Sequence, residues 1–290
     1  MSELLRNGSS FSSPLINLEI LVFPSTAKGN NNNFPVLVSL RKCSHYSSIK
    51  QIIPRVKEVE NKIRIVALST SLANAKDMGE WIGATSHGLF NFSPGVRPVP
   101  LEIHIQGVDI ANFEARMQAM TKPTYTAIVQ HTKNEKPALI FVPTRKDVWL
   151  TSVNLISYLG AESREKPSFL QFPEKLEPLL DKISDEMLKV TLREGVGYLH
   201  EGLNSLDHEI VSELLEVGSI RVCVSSSMCW GVTLSAHLVV VMGTQYYDGQ
   251  ENARTDYPVT DLLHMMDHAN RPSVDNSGKC VILCHARRKE

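Results

Sequence analysis

Short apolar runs alternate with amphipathic segments along the chain from residue 62 onward. Runs rich in β-branched residues predict strands, and apolar positions at helical spacing predict helices. The predicted strands are Ile63–Leu68, Leu101–Ile105, Pro137–Val142, Ile220–Val224, Leu238–Met242 and Lys279–Cys284. The predicted helices are Ala75–Ile82, Ala111–Gln130, Arg145–Leu159, and a second pair formed by Leu176–Arg193 and Asp207–Gly218. This alternation indicates an α/β protein, in which helices cover both faces of a parallel sheet.

Two changes in the pattern divide the chain. Residues 1–43 mix an apolar run with the polar stretch Lys28–Asn33, and no element is assigned there, so disorder is one interpretation. Pro94, Pro98 and Pro100 interrupt the alternation and mark a boundary between two structural units. The expected divisions are therefore residues 1–43, 44–95 and 96–290.

Composition limits the classes of function. The chain has 30 Lys and Arg against 31 Asp and Glu, so its net charge gives no general attraction for nucleic acid, and any RNA contact must be local. No apolar run approaches the roughly 20 residues that a membrane helix needs. The 5 cysteines have no paired spacing, which indicates a reducing compartment, the nucleus or the cytosol.

Several segments between the predicted elements resemble, in order and spacing, the motifs of the superkiller-type DExH-box helicases of superfamily two. These segments are Ile65–Asp77, similar to the third motif; Phe141–Lys146, similar to the fourth; Gly195–Leu203, similar to Gly-Val-x-x-His-His-Ala-Gly-Leu; Met228–Val232, similar to the fifth; and Met265–Pro272, similar to the sixth. The His-Ala-Asn-Arg-Pro form of the last motif is most similar to the degenerate C-terminal cassette of the large U5 spliceosomal helicases, in a plant version.

This resemblance implies a fold and a function. Residues 44–95 would be the remnant of a first RecA-like lobe, and residues 96–290 the second RecA-like lobe. The family unwinds RNA with ATP and Mg²⁺ during pre-mRNA splicing, which implies a nuclear chain with spliceosomal protein partners, weak RNA binding and no membrane contact. Because this chain has only one full lobe, it is expected to be catalytically inactive alone and to need no cofactor.

The resemblance also assigns roles to individual residues. Those that would couple ATP state to RNA binding are Ser69, Thr70, Ser71, Gly231 and Arg271. Those that would contact RNA are Thr144, Arg145, Lys146, His200 and Gly202.

The chain departs from the family where nucleotide chemistry needs particular groups. Gly278-Lys279-Cys280 is the only trace of a phosphate loop, and it has neither the first glycine nor the Ser or Thr that binds magnesium. Of the two sixth-motif arginines, only Arg271 remains, because His268 stands at the other position. Asp267 adds a negative charge that would repel a triphosphate. No catalytic residue set is therefore expected to be intact.

Other interpretations of the same residues stay open. Thr144 is a good helix N-cap, in which case Arg145 and Lys146 would be solvated. For His200, a hydrogen-bonded position in a turn is a more favoured interpretation than the role of a catalytic base. Cys280 and Cys284 lie about 13 Å apart on a strand, so no metal site is expected. For the chain as a whole, the rivals are a non-catalytic module that binds spliceosomal proteins or regulates a helicase, and a truncated gene product.

Overall fold

The computed structural model describes residues 75–132, 135–161, 169–227 and 234–286, together with the backbone of three strands before residue 70. These residues form two compact units, residues 1–92 and 93–290. None of the described helices is both long and apolar enough to cross a membrane.

The first unit contains an antiparallel sheet in the order β2-β1-β3, formed by β1 (Leu18–Pro24), β2 (Val36–Ser39) and β3 (Ile63–Ser69). Helix α1 (Ala75–Ile82) follows β3. The prediction of β3 and α1 is confirmed. Strands β1 and β2 lie in the N-terminal stretch to which the sequence assigned no element, and β1 pairs with β3 along its whole length.

The second unit contains the larger part of the elements. Its strands are β4 (Leu101–Val108), β5 (Ala138–Val142), β6 (Val196–Leu199), β7 (Val222–Ser226), β8 (Leu238–Met242), β9 (Gln245–Asp248), β10 (Ala253–Asp256) and β11 (Gly278–His285). Its helices are α2 (Phe113–His131), α3 (Arg145–Ala161), α4 (Pro173–Leu180), α5 (Glu186–Arg193), α6 (Ser205–Glu216) and α7 (Val259–Asp267).

Six of these strands form one sheet in the order β4-β11-β8-β5-β7-β6, and every neighbouring pair is parallel. Every residue of β5 to β8 is buried, as continuous apolar strands between helical layers require. The predicted α/β class is confirmed, and the all-parallel sheet flanked by helices is that of a RecA-like lobe. The hairpin of β9 and β10 lies outside this sheet.

Candidate functional site

Two of the segments singled out in the sequence meet at one edge of the sheet. Residues 144–146 follow the end of β5, and residues 200–202 follow the end of β6. Because parallel strands end at the same edge, the turns that follow them lie close together. The contact is direct, since a Cβ atom added to Gly202 would lie 2.5 Å from a guanidinium nitrogen of Arg145. We call residues 144–146 and 200–202 the carboxyl-edge cluster.

Within this cluster, Thr144 and Lys146 have structural partners. The backbone N–H of Asp147 donates to Thr144 Oγ1 at 3.2 Å, and the Thr144 hydroxyl donates to the Asp147 carboxylate at 2.6 Å. This reciprocal pair closes the first turn of α3, as a helix N-cap does. Lys146 Nζ lies 3.4 Å from Glu114 in an exposed ion pair. Thr144 is therefore occupied as a cap, whereas Arg145 extends over Gly202.

His200 is held in a hydrogen-bonded turn. The Gly202 N–H donates to His200 Nδ1 at 3.1 Å, and His208 Nε2 lies 3.0 Å from the His200 carbonyl oxygen. The ring of Tyr198 stacks on the His200 ring, with centroids 5.7 Å apart. Burial lowers the pKa of His200, and the nearby Arg145 guanidinium lowers it further. The neutral ring at pH 7 can therefore accept the Gly202 hydrogen bond.

This arrangement predicts that the Arg145→Gln substitution raises the pKa of His200, because it removes a positive charge near the ring. The imidazole pKa is measured by an NMR pH titration of the two-bond ¹⁵N–¹H correlations. Arg193→Gln, an exposed arginine at the end of α5, is the control and should leave the His200 pKa unchanged. An unchanged His200 pKa in the Arg145 variant would contradict the described position of the guanidinium.

One acidic residue belongs to the same edge. Ser226, the last residue of β7 and fully buried, donates a hydrogen bond from Oγ to Glu201 Oε2 at 3.0 Å. Glu201 stands where the resembling motif has alanine. This difference from the motif could have singled out Glu201 in the sequence. The bond to Ser226 could not be predicted in the same way, because it depends on β6 lying beside β7 in the sheet.

The sixth-motif segment, residues 265–272, begins in the last turn of α7 and continues into the loop before β11, and its charged side chains have partners inside the lobe. Asp267 pairs with Arg97 at 2.5 Å, and Arg97 also donates to the carbonyl oxygens of Val99 and Ala269. The Arg97 guanidinium therefore compensates the charge of this carboxylate, and the expected repulsion of a triphosphate by Asp267 stays a prediction. Arg97 lies 170 residues away in the sequence, and no local pattern indicated it.

His268 packs against neighbouring groups of its own lobe. Its Nδ1 donates a hydrogen bond to the carbonyl oxygen of Leu234 at 2.7 Å. Its ring lies 5.3 Å from that of Phe141 and 5.6 Å from that of His264, measured between centroids. This position of the motif therefore contributes to the packing between α7 and β5.

Arg271, the retained arginine, lies in a charged cluster around Asp275. Lys136 Nζ lies 2.8 Å from Asp275 Oδ1, and His237 Nδ1 and Arg271 lie 3.1 and 3.5 Å from Oδ2. The Asp275 side chain is 1% exposed. Burial alone would raise the pKa of Asp275, but its three partners more than offset this and hold the pKa below its ordinary value. We call Lys136, His237, Arg271 and Asp275 the Asp275 cluster.

Residues that the sequence offers for nucleotide phosphate, Gly278-Lys279-Cys280 and Asp185, have structural positions in this lobe. Gly278-Lys279-Cys280 forms the start of β11 instead of a loop, and Lys279 pairs with Glu102 at 2.7 Å. Asp185 caps α5 by accepting from the backbone of Met187 and Leu188. Cys280 and Cys284 are buried in β11, and the described ranges contain no cluster of metal-ligating side chains.

Some residues with assigned roles lie outside the described part of the chain. Thr70, Ser71 and Gly231 are among them, and Ser69 is described only as the last backbone position of β3. Their roles in ATP coupling stay predictions.

Comparisons with known proteins add an independent finding. No family model matches the chain. DExH-box ATP-dependent RNA helicase DExH12 of Arabidopsis thaliana is 67% identical over 252 residues, which are 85% of this chain and 12% of that protein. The U5 small nuclear ribonucleoprotein 200 kDa helicase of Homo sapiens is 44% identical over 276 residues, 94% of this chain and 12% of that protein. Activating signal cointegrator 1 complex subunit 3 of Bos taurus is 44% identical over 232 residues, 80% of this chain and 10% of that protein. The chain spans only a small part of each of these proteins.

Proposed function

Because the chain is homologous to a segment of the large DExH-box RNA helicases, those of the U5 small nuclear ribonucleoprotein among them, we propose that it is the second RecA-like lobe of such a helicase. On this proposal residues 44–95 are the remnant of the first lobe. The chain acts in the nucleus with spliceosomal proteins, and its RNA contact is weak and local. By itself it neither binds nor hydrolyses ATP.

The observation that carries this proposal is the internal pairing of the sixth-motif segment. A helicase stabilises the charge that develops on transferred phosphate with arginines that reach across a cleft between two lobes. Here Asp267 pairs with Arg97, His268 contacts the Leu234 carbonyl oxygen, and Arg271 pairs with Asp275. These bonds leave no charged side chain of this segment without a partner in its own lobe.

The carboxyl-edge cluster supports the proposed RNA contact. Arg145 is exposed, and no hydrogen bond or ion pair joins its guanidinium to a residue of the described ranges. A guanidinium in this state binds phosphate oxygens through two parallel hydrogen bonds. It lies beside backbone N–H groups at the start of α3, where the helix dipole also favours an anion.

The first test is ATP binding and RNA-stimulated ATP hydrolysis by the purified chain. We expect no turnover above a buffer blank and no binding of a fluorescent ATP analogue, because the sequence contains neither a phosphate loop nor an acidic pair at the end of a strand. A helicase with both intact lobes, assayed alongside, is the positive control. Turnover that disappears in the Arg271→Ala variant would overturn the proposal.

A second candidate function is a non-catalytic module that binds spliceosomal proteins or regulates a helicase, and the same internal pairing favours it. The two candidates differ in RNA binding. For an RNA-contacting lobe, Arg145→Gln should weaken binding to single-stranded RNA and reduce the slope of log affinity against log salt by about 0.7, the value for one phosphate contact. An affinity that does not depend on Arg145 would favour the protein-binding module.

A further inference from the structure

The carboxyl-edge cluster contains opposite charges at fixed positions. The guanidinium of Arg145 packs against Gly202, and a Cβ atom at position 202 would be too close to it at 2.5 Å. Because Gly202 has no Cβ atom, it leaves room for the guanidinium in this position. The preceding residue in the same turn, Glu201, carries a carboxylate.

The Glu201 carboxylate is restrained although the residue is exposed. Its Oε2 accepts the hydroxyl hydrogen bond of Ser226 at 3.0 Å, and Ser226 is fully buried at the end of β7. A long exposed side chain ordinarily samples several rotamers, and this bond favours one of them. The negative charge is therefore held at the edge of the sheet and does not move freely into solvent.

Both charges act on the same neighbouring ring. Arg145 lowers the pKa of His200, whereas Glu201 raises it. The two side chains are therefore both within electrostatic reach of His200, and Glu201 directly precedes Gly202, against which the Arg145 guanidinium packs.

We propose that Glu201 limits the RNA affinity of this edge: its carboxylate, positioned by Ser226, repels the phosphodiester backbone of RNA and reduces the affinity that Arg145 provides. This inference rests on the proposed RNA contact and deepens it. The ligand is a single-stranded polyphosphate, recognised through its backbone. Glu201 acts against that ligand by charge alone, so its effect depends on salt.

The test compares two substitutions that change the net charge equally. Glu201→Gln keeps the shape of the side chain and an oxygen that accepts the Ser226 bond, but removes the charge. Glu216→Gln removes the same charge at the last residue of α6, an exposed position. Because each helix residue adds 1.5 Å, Glu216 lies about 16 Å along α6 from the first residue of that helix. That distance exceeds a Debye length at 0.1 M salt, so Glu216 reports the effect of net charge alone.

Binding is measured by fluorescence anisotropy with a fluorescein-labelled oligouridine, in low KCl of about 0.1 M, where the Debye length is about 10 Å, and in higher KCl. We expect Glu201→Gln to bind about threefold more tightly than the native chain at low salt, the size of effect that exposed charge pairs give. The gain should shrink as salt rises, and Glu216→Gln should bind like the native chain. Ser226→Ala, which frees the carboxylate, should give a smaller gain than Glu201→Gln.

The outcomes separate this inference from the proposed function. If Arg145→Gln weakens binding but Glu201→Gln does not tighten it, the RNA contact stands and the role of Glu201 is wrong. Equal gains for Glu201→Gln and Glu216→Gln would show that only net charge matters, which also overturns the inference. If no variant binds the oligouridine, Glu201→Gln included, both the RNA contact and the inference fail.

Discussion

Gly195→Ala is expected to destabilise the chain by at least about 3 kcal/mol, which is a large effect for a single substitution. Gly195 has φ +78°, in the left-handed region, and a Cβ atom there would lie 2.0 Å from the carbonyl carbon of Phe169 and 2.1 Å from the nitrogen of Leu170. Both atoms are backbone, so no side-chain rotation removes the overlap. Residues 169–170 would have to move, although Phe169 O accepts from Arg221 N at 2.9 Å.

Gly218 supplies a matched control for this prediction. Its φ is +76°, but no atom lies within 4 Å of the position a Cβ would take. Gly218→Ala therefore reports the cost of the left-handed conformation alone, about 1–2 kcal/mol. The free energy of unfolding is measured for both variants by urea denaturation followed by circular dichroism. Equal losses in the two variants would contradict the close approach of residues 169–170 to Gly195.

Local patterns in the sequence predicted most of the large sheet, because its central strands are continuous apolar runs. Predicted strands at residues 137–142, 220–224, 238–242 and 279–284 correspond to β5, β7, β8 and β11. Strand β6 was not predicted, because residues 195–203 were placed between the predicted elements. It has only four residues, one of them Gly197, and its strand conformation depends on pairing with β7. Hairpin β9–β10 was missed for a similar reason, since alternating polar residues there gave no apolar run.

One part of the candidate site could be predicted from the sequence, namely the part in which two motifs lie side by side along the sheet edge. Arg145 and Gly202 belong to motifs identified by resemblance, and parallel strands bring them together. The charged partners were not predictable, because each joins distant parts of the chain. Asp267 contacts Arg97, and Asp275 contacts Lys136, at separations that no spacing rule covers. A carboxylate that looked repulsive in the sequence was therefore already compensated in the fold.

The Asp275 cluster carries the second large prediction. Asp275→Ala is expected to lower the free energy of unfolding by about 3 kcal/mol, because removal of one partner leaves Lys136, His237 and Arg271 without their carboxylate. Arg271→Ala should lower the free energy of unfolding by less. The Arg271 side chain is 23% exposed, so water can replace part of the interaction that the Asp275 carboxylate loses. Both values are measured by urea denaturation.

A double-mutant cycle then shows whether Arg271 has its main role within the lobe. If the Arg271–Asp275 pair stabilises the fold, Arg271→Ala should cost less in the Asp275→Ala background than in the native chain. Asp181→Ala, at an exposed position after α4, is the control and should change the free energy of unfolding by less than about 0.5 kcal/mol. Additive losses from Arg271→Ala and Asp275→Ala would mean that Arg271 does not depend on Asp275. In that case the retained arginine would be available for a ligand outside its own lobe, and the main support for a lobe without nucleotide chemistry would be lost.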